Sequence, residues 1–469
     1  MGRTDIVDTI AALATAPGEA GIAVIRVSGS RALELVDKGF RGKVRLCDSK
    51  THHLHFGSFV SPDEEYLDQV VASVYREPTS YTGEDVVEIS CHGGVLVTRK
   101  VLESLFEYGC RPAAPGEFTK RAFLNGRMDL SQAEAVADLI HARSDRARRS
   151  SLQQLQGQLA GRISALREGL IRAAGLLELE LDFAEEGLEF LEKDKVSRQI
   201  AEALEMVSRL IETYQAGRLY RDGVKVVLAG MPNVGKSSIL NALLKQDRAI
   251  VTEVPGTTRD TIEESLSIHG LQFRIVDTAG LHEAVDRVEK EGIRRSEDQI
   301  RTSDLLLVIM DTSRVPGQEE LELAARLIRD LRGQARTIVV LNKIDLTPAV
   351  NGSIEQKVAV LEPASIVRIS TLTGAGMEDL QEALFQEALA ESPSYGDSGI
   401  TVTNARHYHA LLSAKERLNL SLQSLEKGAS GEFVSVDLRT ALDALGEITG
   451  IVTTDDILKD IFSKFCIGK

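Results

Sequence analysis

One eight-residue segment in the middle of the chain constrains the fold more than any other: Gly230-Met231-Pro232-Asn233-Val234-Gly235-Lys236-Ser237. It follows the apolar run VKVVLA, which is typical of a buried strand, and precedes SILNALL, which is typical of a helix. Glycines in this setting let backbone N–H groups curve around a phosphate, while Lys236 reaches the β and γ phosphates and the Ser237 hydroxyl ligates Mg²⁺. The segment predicts a phosphate-binding loop in a parallel α/β sheet.

Three further segments follow in the order that a guanine-nucleotide site requires. Strand FRIV leads into Asp277-Thr278-Ala279-Gly280, whose carboxylate can hold Mg²⁺ through water and whose glycine lets the backbone approach the γ-phosphate. Strand TIVVL leads into Asn342-Lys343-Ile344-Asp345, and the Asp345 carboxylate can accept hydrogen bonds from guanine N1 and N2, a donor pair that adenine lacks. Strand IVRI leads into Ser370-Thr371-Leu372, where a backbone amide can meet guanine O6. Together the segments predict a GTP site.

A loop between the first two segments completes the predicted nucleotide contacts. We assign the Thr258 hydroxyl to Mg²⁺, alongside Ser237. Leu281 directly follows DTAG, where Ras-like GTPases carry the glutamine that orients the attacking water. An aliphatic side chain cannot do this, so the motif leaves the water-orienting group open. The remaining predicted contacts are Ser238, Thr252, Glu253, Val254, Pro255, Gly256 and Thr257.

The patterns along the chain predict a multidomain α+β protein. Residues 1–118 mix short β-type runs with one helical pattern, and residues 119–221 read as long helices with almost no turn signals. Residues 222–390 alternate apolar strands with helices, and residues 391–469 return to helical periodicity after a polar break. Each helical stretch alone would struggle to bury its apolar face. We therefore expect one discontinuous helical domain into which the Ras-like P-loop α/β domain is inserted.

Composition limits the cellular compartment and the binding partners that we expect for this chain. Four cysteines lie scattered without CxxC spacing, and no apolar run approaches the roughly 20 residues that cross a bilayer, so we expect a cytoplasmic protein with no membrane partner. The net charge of −15 repels polyanions, so nucleic acid would need a local basic patch. The most plausible patch is the arginine cluster in HARSDRARRS, although a solvated helix face is the more frequent explanation of such a cluster.

The chain resembles the tRNA-modification GTPase family called MnmE or TrmE, and the stretches that carry the resemblance lie along its whole length. They are PGEAGIAVIRVSG, TGEDVVEISCHGG, PGEFTKRAFLNGRMDLSQAEAVADLI, VPGTTRD and the terminal FCIGK. The resemblance implies a cytoplasmic homodimer with an N-terminal folate-binding domain, a discontinuous helical domain and an inserted GTPase domain. It also implies that the chain acts with the flavoprotein MnmG to add a carboxymethylaminomethyl or aminomethyl group at carbon 5 of wobble uridine 34 of certain tRNAs.

The resemblance also implies further site residues. Potassium would replace an arginine finger, and Glu289 would orient the attacking water. The folate, a 5-formyl- or 5,10-methylene-tetrahydrofolate, would be bound with Arg127 where some members have lysine. Cys466 would lie near its carbon unit or be a small buried hydrophobe. The implied potassium ligands are Asn233, Thr252, Val254 and Thr257, and the implied folate ligands are Arg26, Glu88, Arg127 and Lys469.

Two other functions stay open from the sequence. One is a regulatory GTPase switch in ribosome assembly without modification chemistry, against which the folate-type N-terminal region argues. The other is a one-carbon transferase under GTPase control with no tRNA role, which would turn over folate without RNA or partner. Wobble-nucleoside analysis separates the first alternative from tRNA modification.

Overall fold

The computed structural model describes residues 8–184, 193–246, 263–277, 298–346, 351–390, 399–427, 429 and 431–469. The chain forms two compact units. The first comprises Met1–Ile140, Gln153–Ala201 and Glu416–Lys469, and the second comprises His141–Leu152 and Glu202–Lys415. Each unit has its own sheet and its own hydrophobic core.

The first unit contains a seven-stranded sheet in the order β3-β4-β5-β6-β2-β1-β7. Its pairs are antiparallel except for β1 with β7. Helices α1 and α2 cover one face, where alternate strand residues such as Ile25, Ile89 and Val74 are buried. The elements are β1 Ile10–Leu13, β2 Ala20–Ser28, α1 Ala32–Gly39, β3 Phe40–Gly42, β4 His53–Val60, β5 Tyr66–Tyr75, β6 Val86–Gly93, α2 Val95–Glu107 and β7 Arg111–Pro112.

Helices make up the rest of the first unit and continue beyond it along the chain. The last of these helices begins at Thr454, whose side chain accepts a hydrogen bond from Ile457 N as an N-cap. Its apolar face, with Ile461 and Phe462, packs on Phe123 and Leu130. The helices are α3 Glu117–Leu124, α4 Leu130–His141, α5 Asp145–Leu155, α6 Gln158–Ala184, α7 Lys193–Glu212, α8 Tyr214–Asp222, α13 Ala405–Glu426, α14 Gly431–Thr449 and α15 Asp455–Ser463.

The second unit is built on a six-stranded sheet in the order β13-β12-β11-β8-β10-β9. All pairs are parallel except β9 with β10, so the carboxyl ends of five strands meet at one edge. Alternate β8 residues enter separate cores, one with α9 and α12 and the other with α10 and α11. The elements are β8 Val224–Ala229, α9 Lys236–Gln246, β9 Glu263–Ile268, β10 Leu271–Asp277, β11 Leu305–Asp311, α10 Gln318–Asp330, β12 Arg336–Asn342, α11 Asn351–Ala359, β13 Ser365–Arg368 and α12 Met377–Leu389.

The predicted fold class is confirmed, since an α+β N-terminal region, long helices and a doubly covered parallel sheet all occur where the patterns place them. The residue bounds expected for the four domains stay a prediction. Among the described residues, no helix combines the length and the apolar character needed to span a membrane.

Candidate functional site

The predicted phosphate-binding loop joins β8 to α9 at the carboxyl edge of the sheet. Its backbone takes left-handed or related conformations at Gly230, Asn233 and Gly235, with φ of 147°, 64° and 102°. A Cβ at Gly235 would lie 2.3 Å from Asn342 Nδ2, and one at Gly230 would lie 2.4 Å from Ile309 O. Glycine is required at both positions because only it combines these conformations with such close approach.

Two side chains of this loop offer polar groups that suit a phosphate and its metal ion. Lys236 Nζ donates to the carbonyls of Gly230 and Met231, at 2.9 and 3.1 Å. Burial lowers the pKa of Lys236, against the opposing effect of the Asp277 carboxylate. Ser237 Oγ lies 3.1 Å from Asp277 Oδ2, which brings together a hydroxyl and a carboxylate from two predicted segments. Such oxygen donors suit Mg²⁺.

The predicted guanine segments lie beside this loop. Asn342 Nδ2 donates to the Val234 carbonyl at 2.9 Å, so the end of β12 is tied directly to the phosphate loop. Ser370 Oγ donates to Asp345 Oδ1 at 2.6 Å, which joins the two segments expected to contact the base. Leu372 is exposed on the same segment as Ser370 and Thr371. The described parts of the four predicted segments therefore converge at one edge.

Asp311 is a site residue that sequence reasoning missed. It ends β11 between the phosphate loop and the guanine strand, and its Oδ2 accepts a hydrogen bond from Lys343 Nζ at 2.6 Å. Burial alone would raise the pKa of Asp311, but hydrogen bonds from Lys343 and Ser313 outweigh burial and hold this pKa below its usual range. The available signal was a carboxylate closing the strand LLLVIMD at the edge where ligands bind.

Part of the predicted nucleotide set lies outside the described residues, and its placement is untested. This part comprises the loop that carries the predicted second Mg²⁺ ligand, most of the implied potassium ligands and the implied water-orienting carboxylate. The residues are Thr252, Glu253, Val254, Pro255, Gly256, Thr257, Thr258, Thr278, Ala279, Gly280, Leu281 and Glu289.

A second charged cluster lies in the first unit and contains three of the four implied folate residues. Arg26 Nε donates to Glu88 Oε1 at 2.9 Å, and Arg26 Nη1 lies 3.5 Å from the Gly468 carbonyl, next to Lys469. Burial, reinforced by the Arg26 charge, lowers the pKa of Lys469. Cys466 is exposed, which argues against its alternative interpretation as a small buried hydrophobe.

Aromatic rings and the loop 80–84 complete this cluster. The Arg26 guanidinium lies 5.0 Å from the centroid of the Tyr81 ring and 5.6 Å from that of Phe118, within the range of cation–π attraction. Arg127, the fourth implied residue, lies against the same loop, because a Cβ at Gly83 would be 3.2 Å from Arg127 Cγ. The loop therefore contacts both Arg26 and Arg127.

A buried arginine, also missed from the sequence, holds this loop. The side chain of Arg121 is 1% exposed and forms ion pairs with Asp8, Glu84 and Glu117. Glu84 also accepts a 2.7 Å hydrogen bond from Ser28 Oγ. A buried guanidinium needs such compensation because an unpaired charge in the interior is costly.

Three arginines of the cluster considered as an RNA patch make contacts within the protein. Arg146 lies 5.4 and 5.2 Å from the ring centroids of Tyr220 and Phe385, while Arg148 and Arg149 form ion pairs with Asp145. Arg148 and Arg149 remain 51% and 58% exposed and share this one carboxylate, so a role of the segment as a basic patch stays a prediction. No cluster of metal-ligating side chains was found in the part of the chain that the structure describes.

Two family models match the chain. The model described as GTP-binding protein TrmE N-terminus matches residues 9–127, and the MnmE helical domain model matches residues 130–466. Among solved structures, the G domain of the FeoB iron transporter of T. maritima is 25% identical over 35% of this chain and 98% of its own, with a TM-score of 0.26. Aquifex aeolicus Era is 27% identical over 42% of this chain and 67% of its own, with a TM-score of 0.29.

Relatives named tRNA modification GTPase MnmE match over nearly the whole length. The Salinibacter ruber protein is 43% identical over 98% of this chain and 99% of its own. The Syntrophotalea carbinolica protein is 44% identical with the same coverage, and the Thermoanaerobacter pseudethanolicus protein is 41% identical over 99% of this chain and 100% of its own. The chain belongs to the MnmE family of tRNA modification GTPases.

Proposed function

We propose that the chain is a GTP hydrolase that acts in tRNA modification. The observation that carries this proposal is the end-to-end likeness to tRNA modification GTPases, combined with phosphate and guanine segments that converge at one sheet edge. A ribosome-assembly switch would not need the TrmE-type N-terminal region that the chain contains.

The residues of the nucleotide site have distinct tasks in this proposal. The loop amides and Lys236 bind the β and γ phosphates, and Asp345 selects guanine. Ser237 and Thr258 are the proposed Mg²⁺ ligands, and Asp277, whose Oδ2 lies 3.1 Å from Ser237 Oγ, would hold the ion through water. When bound, Mg²⁺ neutralises charge that develops on the transferring phosphoryl group. The site then needs only to position water, the task we assign to Glu289.

Potassium is the proposed activator of hydrolysis. A monovalent cation beside the β and γ phosphates would stabilise the transition state as a guanidinium does. Within the described residues the Asn233 side chain makes no hydrogen bond, and an amide oxygen suits potassium. Thr252, Val254 and Thr257 are the other proposed ligands.

A tetrahydrofolate derivative is the proposed cofactor of the first unit. Its pterin carries amide-type donors that match the Glu88 carboxylate beside Arg26, and its glutamate tail is an anion that suits a nearby cation such as Arg127; Lys469 adjoins the Arg26–Glu88 pair. When bound, the folate would supply the carbon unit transferred to carbon 5 of uridine 34. In this scheme the flavoprotein MnmG shares the uridine chemistry, in the cytoplasm.

The exposed face of the first sheet supports a homodimer. Leu54 pairs with Ser73, Ser73 with Glu88, and Glu88 with Arg26, so these residues share one face. Leu54 and Phe56 are 72% and 67% exposed there. A second copy that covers this apolar surface would also lie beside the proposed folate cluster.

The first test of the proposal is steady-state GTP hydrolysis by the purified chain in KCl and in NaCl at equal ionic strength. A strong rise in KCl supports cation-assisted catalysis. Equal slow rates in both salts would refute potassium activation and favour the regulatory switch. Wobble-nucleoside analysis of a deletion strain tests the tRNA role independently, because an unchanged nucleoside profile would refute it.

A further inference from the structure

Three segments of the nucleotide site are linked through one ammonium group. Lys343 Nζ lies 2.6 Å from Asp311 Oδ2 and 3.0 Å from the Asn233 carbonyl oxygen. Asp311 ends β11, Lys343 follows β12, and Asn233 lies in the phosphate loop. The lysine of the guanine segment therefore connects a strand-end carboxylate to the loop residue proposed to ligate potassium.

The carboxylate in this link is itself firmly held. The Asp311 side chain is 10% exposed, and its second oxygen accepts hydrogen bonds from Ser313 N and Ser313 Oγ at 2.8 and 2.6 Å. One carboxylate oxygen thus positions the side chain, and the other is directed at Lys343. A charge-assisted hydrogen bond at such a largely buried carboxylate is stronger than a neutral one.

Lys343 has little freedom to choose another partner. Its backbone is left-handed, with φ of 67°, and its N–H donates to Asn342 Oδ1 at 2.8 Å. A non-glycine residue in this region is strained and persists only where its surroundings impose it. The Asp311 ion pair is one such constraint. Asn342 holds the backbone of Lys343, and Asp311 holds the ammonium group at the end of its side chain.

Consecutive residues of the guanine segment fix consecutive carbonyls of the phosphate loop. Asn342 Nδ2 binds the Val234 carbonyl, and Lys343 Nζ binds the Asn233 carbonyl. The direction of a carbonyl defines its peptide plane and hence ψ of its residue. Asn233 is left-handed, with φ of 64°, so these contacts hold the backbone from which its side chain projects.

We propose that Asp311 is a positioning residue for the monovalent cation, which acts by holding Lys343 on the Asn233 carbonyl. This inference rests on the proposed potassium activation and deepens it. Asp311 touches neither nucleotide nor cation. It orients the Asn233 amide toward the cation and couples this orientation to the segment that recognises guanine.

The test uses the full chain with Asp311→Asn, which keeps the shape of the side chain and removes its charge. Loss of one charge-assisted hydrogen bond, worth about 1.5–3 kcal/mol, predicts that half-maximal activation of GTP hydrolysis needs at least about tenfold more KCl. Binding of fluorescent GDP with aluminium fluoride, titrated with KCl, should shift by a similar factor. Fluorescent GDP alone should bind within about threefold of wild type, because the phosphate amides and Asp345 are intact.

Two matched variants distinguish loss of the Asp311 charge from a general loss of stability. Asp311→Glu keeps the charge and should restore most of the potassium affinity. Asp304→Asn removes a carboxylate at the opposite end of the same strand, where it pairs with Arg218 at 2.6 Å, and should leave the potassium requirement unchanged. Equal shifts in Asp304→Asn and Asp311→Asn would reduce the effect to lost stability and overturn the inference.

The inference and the proposed function fail in different ways. If wild type responds equally to KCl and NaCl, potassium activation is refuted and Asp311 has no cation to position. If wild type responds to KCl and Asp311→Asn responds at the same concentrations, potassium activation stands and the positioning role is refuted. A large loss of GDP affinity with an unchanged potassium midpoint would also refute it.

Discussion

At the scale of single residues, Arg121 carries a charge whose burial must be compensated by its partners. A buried guanidinium surrounded by Asp8, Glu84 and Glu117 is held by charges that come from three separate segments. Burial alone would raise the pKa of Asp8 and of Glu117, but hydrogen bonds from Arg111 and Arg121 outweigh burial and lower both. The cluster fixes the loop 80–84 that contacts Arg26 and Arg127.

Replacement of Arg121 should be strongly destabilising in a way that depends on pH. Arg121→Met leaves three carboxylates without their buried partner, at an expected cost of about 3–5 kcal/mol near neutral pH. The lowered carboxyl pKa values stabilise wild type above the unfolded values of about 4, and this stability is lost as pH falls through the folded values. The difference in melting temperature between wild type and variant should therefore shrink below about pH 5.

Thermal unfolding of both proteins across pH 3.5–8, at roughly constant ionic strength, measures this difference. Arg31→Met is the control, because Arg31 forms an exposed pair with Glu34 and its loss should leave the melting temperature nearly unchanged. A pH-independent difference for Arg121→Met would show that packing, rather than charge compensation, dominates.

At the scale of elements, the sequence predicts motifs made of consecutive residues and misses residues whose partners are distant in the chain. The phosphate loop and guanine segments were predicted because each motif is local, and the strand and helix around it follow from periodicity. Asp311 and Arg121 were missed because their roles depend on partners elsewhere in the chain. Arg121 lies 113 residues from Asp8 and 37 from Glu84, and no spacing rule connects them.

The phosphate loop allows a sharp test of its tight turn. Gly235→Ala places a Cβ 2.3 Å from Asn342 Nδ2 at a φ of 102°, so the loop must move away from the guanine segment. A strained backbone costs about 1–3 kcal/mol, which predicts at least roughly fivefold weaker binding of fluorescent GDP.

The matched change for this test is Gly317→Ala, since a Cβ there would meet no atom within 4 Å. This second variant should bind GDP as wild type does. Normal GDP affinity in Gly235→Ala would mean that the loop tolerates displacement. It would contradict the claim that the close approach to Asn342 requires glycine at this position.

At the scale of the whole molecule, the proposed homodimer predicts an interface on the first sheet. The exposed face of the first sheet combines Leu54 and Phe56 with Val71, which pairs with Phe56, and leads along the strand register to Glu88 and Arg26. A net charge of −15 opposes association at long range, so an apolar contact must supply the attraction between copies. Dimerisation should accordingly strengthen with salt.

Phe56→Glu tests this interface directly. A buried phenylalanine contributes about 1.5–3 kcal/mol, and a carboxylate buried in its place adds a desolvation cost, so the dimer should weaken by at least ~100-fold. Light scattering across a dilution series should then give the 51.1 kDa monomer for the variant and twice that mass for wild type. Val360→Glu, at an apolar site in the second unit that is 80% exposed, should remain dimeric. A fully dimeric Phe56→Glu would place the interface elsewhere, and the folate cluster would then have to bind its ligand within one chain.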